Sequence, residues 1–117
     1  MSTFEPVSTT LRADIPALAT YSWKGLKKLE TGALMKVDIF RMISIQVEGE
    51  FHGFQVQIEG SNDGEHWYVL IDSQDNHMRF SEPALADVGQ GCRFLRPEVI
   101  GGDEFTDVSV WAVCRGL

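Results

Sequence analysis

Apolar and polar residues alternate with a period of two along most of this chain. The clearest run covers residues 41–48, where Ile43, Ile45 and Val47 alternate with Ser44, Gln46 and Glu48. That spacing puts one set of side chains on each face of an extended strand. The pattern resumes after residues 49–53, with Phe54, Val56 and Ile58 set against Gln55, Gln57 and Glu59. Two such runs joined by a short loop bounded by Gly49 and Gly53 predict an antiparallel hairpin. Further strands are predicted over 20–26, 34–39, 67–71, 78–80, 93–100 and 108–115. In the last of these, Val108, Val110, Ala112 and Cys114 share one face, and Ser109, Trp111, Val113 and Arg115 the other.

Helical signals are sparse. Residues 81–89 open with Ser-Glu-Pro and close on Gly89, which predicts one short helix. A single helical turn is predicted near residues 14–19, capped by Asp14. Residues 1–20 are the least patterned and read as an extended N-terminal arm; residues 21–117 read as the folded domain. Seven or eight short strands with almost no helix define an all-β antiparallel sandwich.

Composition narrows the function. With 117 residues the chain is one domain's worth, long enough to bury a core without metal or disulfide support. The net charge of -7 makes nucleic acid a poor partner. No apolar stretch approaches the roughly 20 residues of a membrane span, and Met-Ser-Thr-Phe-Glu-Pro does not read as a signal peptide, so synthesis in the cytoplasm is expected. Cys92 and Cys114 sit in apolar patterns and read as free thiols, although a bridge between them stays open.

Reactive chemistry is thin. His52, His66 and His77 fall in or beside loops, and none stands at a metal-ligand spacing from another. Asp72, Asp75 and Asn76 form an acidic turn without a calcium-loop frame, which turn capping explains as well. Lys24, Lys27 and Lys28 form the one basic cluster and read as a solvated loop. Nothing resembles a nucleophile elbow or a phosphate-binding loop. The expectation is a binding protein, not an enzyme, with no cofactor.

One motif carries a family resemblance. The segment Gly60-Ser61-Asn62-Asp63-Gly64-Glu65-His66-Trp67 is similar to the signature turn of discoidin-like, galactose-binding-like jelly-roll domains. In that reading Ser61, Asn62, Asp63 and Gly64 mark the turn, and Trp67 plugs the core from the returning strand. Together with Arg96-Pro97 and the Gly101-Gly102-Asp103 loop, the pattern over residues 40–117 resembles capsid decoration (cement) proteins of tailed bacteriophages. The resemblance implies a jelly roll on the outer surface of a virion, with the major capsid protein and a second or third copy of itself as partners. Partner-interface candidates are Phe4, Leu11, Trp23, Phe51, Phe105 and Trp111, with plain core packing the stronger reading of Trp111. The alternative is a carbohydrate-binding module of a phage tail or surface protein, with Phe51, Tyr68 and Phe105 as the eligible aromatics.

Overall fold

The computed structural model describes residues 3–4, 7–10, 18–37 and 40–116, with side chains from Thr20 onward. The described elements are all strands: β1 (Thr3–Phe4), β2 (Val7–Thr10), β3 (Leu18–Leu26), β4 (Thr31–Gly32), β5 (Met35–Lys36), β6 (Phe40–Glu50), β7 (Gln55–Ser61), β8 (Tyr68–Val69), β9 (Arg79–Phe80), β10 (Ala84–Asp87), β11 (Phe94–Ile100) and β12 (Asp107–Gly116). They form two sheets. One runs β1-β4-β11-β7-β8, with β5 also on β11 and β9 also on β7; the other runs β10-β6-β12-β3-β2. We call these the front sheet and the back sheet. Among the described residues, every strand pairing is antiparallel except β1 with β4.

The core is what the alternation demanded. Ile43, Ile45 and Val47 of β6, and Val108, Val110, Ala112 and Cys114 of β12, point inward from the back sheet. Val56 and Ile58 of β7, with Leu95 and Val99 of β11, meet them from the front sheet. The thiols are unbridged; burial pushes the Cys114 thiol up to about 12, so it behaves as a small apolar group.

The hairpin expected between residues 41–48 and 54–59 does not exist. β6 pairs with β10 and β12, whereas β7 pairs with β11, β8 and β9. The loop between them is an arch that carries the chain from one sheet to the other. Phe51 and Phe54 cause this: both are buried, with ring centroids 5.7 Å apart, and the Phe54 amide donates to the Phe51 carbonyl at 3.2 Å. Two aromatic rings turned inward cap the end of the core, which a solvent-facing hairpin loop does not permit. His52 (φ 50°) and Gly53 (φ 78°) supply the left-handed backbone of the bend.

The short helix over 81–89 is also absent. Residues 84–87 are strand β10, paired with β6 from Ala84↔Val47 to Asp87↔Ser44. So short a run gains little as an isolated helix, while the open edge of β6 offers its backbone immediate partners. Ala84 and Ala86 then rest on the core and Leu85 faces solvent. Of the helical turn placed at 14–19, residues 14–17 lie outside the described residues, and Leu18 and Ala19 begin β3.

Trp23 is a core residue, fully buried, and donates its indole N–H to the Ala33 carbonyl at 2.9 Å. Its ring lies where a side chain on Gly32 would have to go, 2.5 Å from an ideal Cβ, so β4 can cross the core only as glycine.

Gly49 provides a test of the β6–β12 seam. Its φ is +128°, and an added Cβ would lie 2.1 Å from the Asp107 carbonyl oxygen. Gly49→Ala is expected to destabilise the fold by about 3 kcal/mol in urea unfolding. Gly91→Ala, where an added Cβ meets nothing within 4 Å, should stay within about 0.5 kcal/mol of wild type.

Candidate functional site

Three regions concentrate polar or exposed apolar groups. The first is the marker turn. Ser61 Oγ donates to Asp63 Oδ1 at 2.9 Å and accepts the Gly64 amide at 2.9 Å. Asp63 Oδ1 also accepts the amides of Glu65 (2.8 Å) and His66 (2.9 Å), and Asp63 Oδ2 lies 2.7 Å from His66 Nδ1. The His66 amide, then its ring, and the Glu65 amide hold the Asp63 carboxyl well below the usual carboxylate range. Among the described residues, Asp63, Glu65 and His66 are the one trio of possible metal ligands within reach of each other. The lone pairs of Asp63 are nevertheless spent on the turn itself, which makes it a cap. The same holds for Asp72, whose Oδ1 accepts the amides of Gln74 and Asn76.

Beside this turn lies an open cleft of about 420 Å³, lined among others by Asn62, His66, Tyr68, Gln90 and Gly91. Tyr68 is 71% exposed. Asn62 Oδ1 accepts the Arg93 amide at 3.1 Å and Gln90 Oε1 accepts the Ile71 amide at 3.3 Å. Backbone donors thus pin both carboxamide oxygens, which leaves the two NH₂ groups as oriented donors. The sequence hid this grouping because Gln90 lies on a distant loop with no motif to mark it.

The second region is the outer face of the front sheet. Trp67 does not plug the core: it is half-buried on this outer face, with the Arg96 guanidinium 4.0 Å above its ring. Arg96 Nε donates to Glu59 Oε1 at 2.9 Å, Gln57 Nε2 donates to Glu59 Oε2 at 2.6 Å, and Arg79 Nε donates to Gln57 Oε1 at 3.2 Å. Leu95 and Pro97 take the inward positions of β11, so Arg96 must face out, and the indole follows it. Glu98 completes the row. A hydrogen bond with Glu59, then burial, then the charge of Glu59 push its carboxyl up to about 7.

The third region is the loop end that carries Phe105. The Asp103–Thr106 turn is tied three times: the Thr106 amide to the Asp103 carbonyl (3.1 Å), the Asp103 amide to Thr106 Oγ1 (2.9 Å), and the Phe105 amide to Asp103 Oδ1 (2.9 Å). Thr106 is buried, so the turn is anchored, and it holds Phe105 64% exposed against the His52 ring. The neighbouring loop is joined by the Leu29 amide donating to the Gly101 carbonyl at 3.2 Å, and it exposes Leu29 beside Ile100. Lys27 of the basic cluster pairs with Asp107 at 2.8 Å.

The sequence-derived interface candidates therefore separate. Phe105 is exposed on a rigid turn, and Trp111 is half-buried on the outer face of the back sheet. Trp23 and Phe51 are in the core and offer no surface. Phe4 lies in β1, its side chain outside the described residues, and Leu11 lies outside them altogether. Phe51, Tyr68 and Phe105 do not form one aromatic platform, since Phe51 is buried and Phe105 lies against His52.

No protein-family model matches this chain, and no curated protein matches it. Among solved structures it is similar to the SPBc2 prophage-derived protein YomS, with a TM-score of 0.61 and 15% identity over 88% of this chain and 98% of that one. The likeness is one of fold.

The Glu59–Glu98 pair sets a pH dependence. Glu98 binds its proton more tightly folded than unfolded, so stability is greatest below the unfolded value of 4.5 and declines as pH rises through about 7. Between pH 5 and pH 8, wild type should lose about 1 kcal/mol more than Glu98→Gln, a figure reduced from full linkage because water screens a partly exposed carboxyl. Urea midpoints at the two pH values check this; equal slopes for the two proteins would remove Glu98 as the cause.

Proposed function

We propose that this chain is a jelly-roll-type structural protein of a phage virion, a decoration or cement protein that binds the outer surface of the head and braces contacts between major capsid subunits. The observation that carries the reading is the Phe105 loop end. Three large apolar side chains are exposed there, Leu29 and Phe105 on loops tied by hydrogen bonds and Ile100 at the end of β11. Soluble domains rarely hold such groups rigidly exposed without a partner to cover them. Rigidity also lowers the ordering cost of docking, so an aromatic on a pinned turn gives more affinity than one on a loose loop. The fold shared with a prophage-derived protein supports the setting.

Many copies on a shell would stabilise it by mass action, since a ligand that binds only the assembled state lowers that state's free energy. The role is non-enzymatic and needs no cofactor. The partners in this reading are the major capsid protein and further copies of the chain, as a dimer or trimer, with neither nucleic acid nor membrane involved.

A second reading, carbohydrate binding, is favoured by the Tyr68 cleft, where an exposed ring and two oriented amide donors meet. Such a set suits a sugar ring, which stacks one face and presents hydroxyl oxygens as acceptors.

Co-sedimentation with purified shells lacking the protein separates the two. Wild type should pellet with shells at micromolar concentration, and Phe105→Ser should weaken binding by about tenfold or more at unchanged melting temperature. Failure of wild type to pellet would count against the decoration role. A glycan array positive for wild type and negative for Tyr68→Ala would instead select the carbohydrate reading.

A further inference from the structure

The loop end at Phe105 is acidic as well as apolar. The loops over 49–54 and 100–107 lie together where Asp107 of β12 pairs with Glu50 of β6. They hold four carboxylates, Glu50, Asp103, Glu104 and Asp107, and no lysine or arginine. Lys27 of the neighbouring loop matches Asp107 at 2.8 Å. Lys28 lies beside Gly102, on the flank that exposes Leu29. The other three carboxylates gather round Phe105. Asp103 Oδ1 accepts the Phe105 amide, and Glu104, itself exposed, precedes Phe105 in the chain. The His52 ring lies against Phe105 with its nitrogens 3.8 Å from Glu50 Oε2 and 3.8 Å from Asp103 Oδ2.

A ring set among carboxylates restricts what can cover it. Burying Phe105 draws its neighbours partly out of water, and an unpaired carboxylate there costs more than the ring gains. A plain apolar surface leaves the three acids unmatched. A second copy presenting this same end sets carboxylates against carboxylates, and a phosphate-rich or anionic surface repels them too. We propose that this loop end seats on a protein surface with an apolar pocket and a basic rim, Phe105 entering the pocket and Glu50, Asp103 and Glu104 meeting lysines or arginines around it. The inference rests on the reading of this end as the docking surface of a decoration protein, and it names the chemistry of the partner's side. The charged rim then sets the orientation and the rate of encounter, and the ring sets how long the complex lasts.

Co-sedimentation with purified shells lacking the protein, repeated from about 50 to about 400 mM sodium chloride, tests the proposal. Wild-type affinity should fall by about tenfold or more across that range. Glu104→Lys should bind about tenfold more weakly at the low-salt end, and its affinity should change less with salt. Phe105→Ser should lose the same factor at every salt concentration, because it removes apolar contact and no charge. Glu65→Lys makes the same charge change at the opposite end of the sandwich, beyond the Ser61 end of β7, and should bind as wild type does. Wild type that pellets equally at both salt concentrations would overturn the proposal. So would Glu104→Lys binding like wild type, or Glu65→Lys losing as much as Glu104→Lys. Each of those results leaves the decoration role standing, since the shells are still bound. Wild type that pellets at no salt concentration would remove both.

Discussion

Strand β12 is the constraint on which the rest of the structure depends. It runs through the middle of the back sheet, pairing with β6 along one edge and β3 along the other. Its inward row, Val108, Val110, Ala112 and Cys114, is wholly buried and forms the floor onto which the front sheet packs. β12 comes from the end of the sequence and β3 from near its start, so the back sheet cannot close until both are in place. A sheet built on such long-range pairing pays its loop-closure entropy before the core rewards it. The arch at Phe51 and Phe54 carries the chain off a strand, β6, whose two edges are held by β10 and β12.

Much of this was legible in the sequence, and the limits are physical. Alternation is a local property set by the side-chain period of two, so the inward faces of β6, β7 and β12 read correctly from residues alone. Sheet membership is not local. Residues 41–48 and 54–59 show the same alternation in a hairpin and in an arch, and only the inward turn of Phe51 and Phe54 separates the two. The β10 segment misled for a related reason: Ser-Glu-Pro and Gly89 are true punctuation, yet the edge of β6 decides what lies between them. Trp23 and Trp67 exchanged their expected places, because whether a tryptophan sits inside or outside depends on register and on a neighbour such as Arg96.

The candidate surfaces were legible in part. Phe105 stood out as an aromatic in a loop, but its rigidity comes from the side chains of Asp103 and Thr106, which a sequence reads only as polar filler. The Tyr68 cleft depends on Gln90 reaching the Ile71 amide across a gap of 19 positions. The marker turn carried its own logic: Ser61, Asp63 and Gly64 satisfy one another within four residues, so their spacing alone specified the bend.

The two outer faces make the deeper contrast. On the front sheet Glu59, Gln57, Arg96 and Arg79 hydrogen-bond one another, and Trp67 lies under the guanidinium, so the polar groups at the centre of that face are already engaged. A saturated polar network resists desolvation, because any partner must replace bonds already made. The back sheet has no comparable network among the described residues; its central strand presents Trp111 and Val113, and its flanks expose Leu85 and Met42. Desolvating such a face removes apolar area from water and breaks few existing bonds. The same sandwich thus carries one outer face whose polar groups are paired with one another and one whose central strand presents apolar side chains, with the loop end at Phe105 standing apart from both.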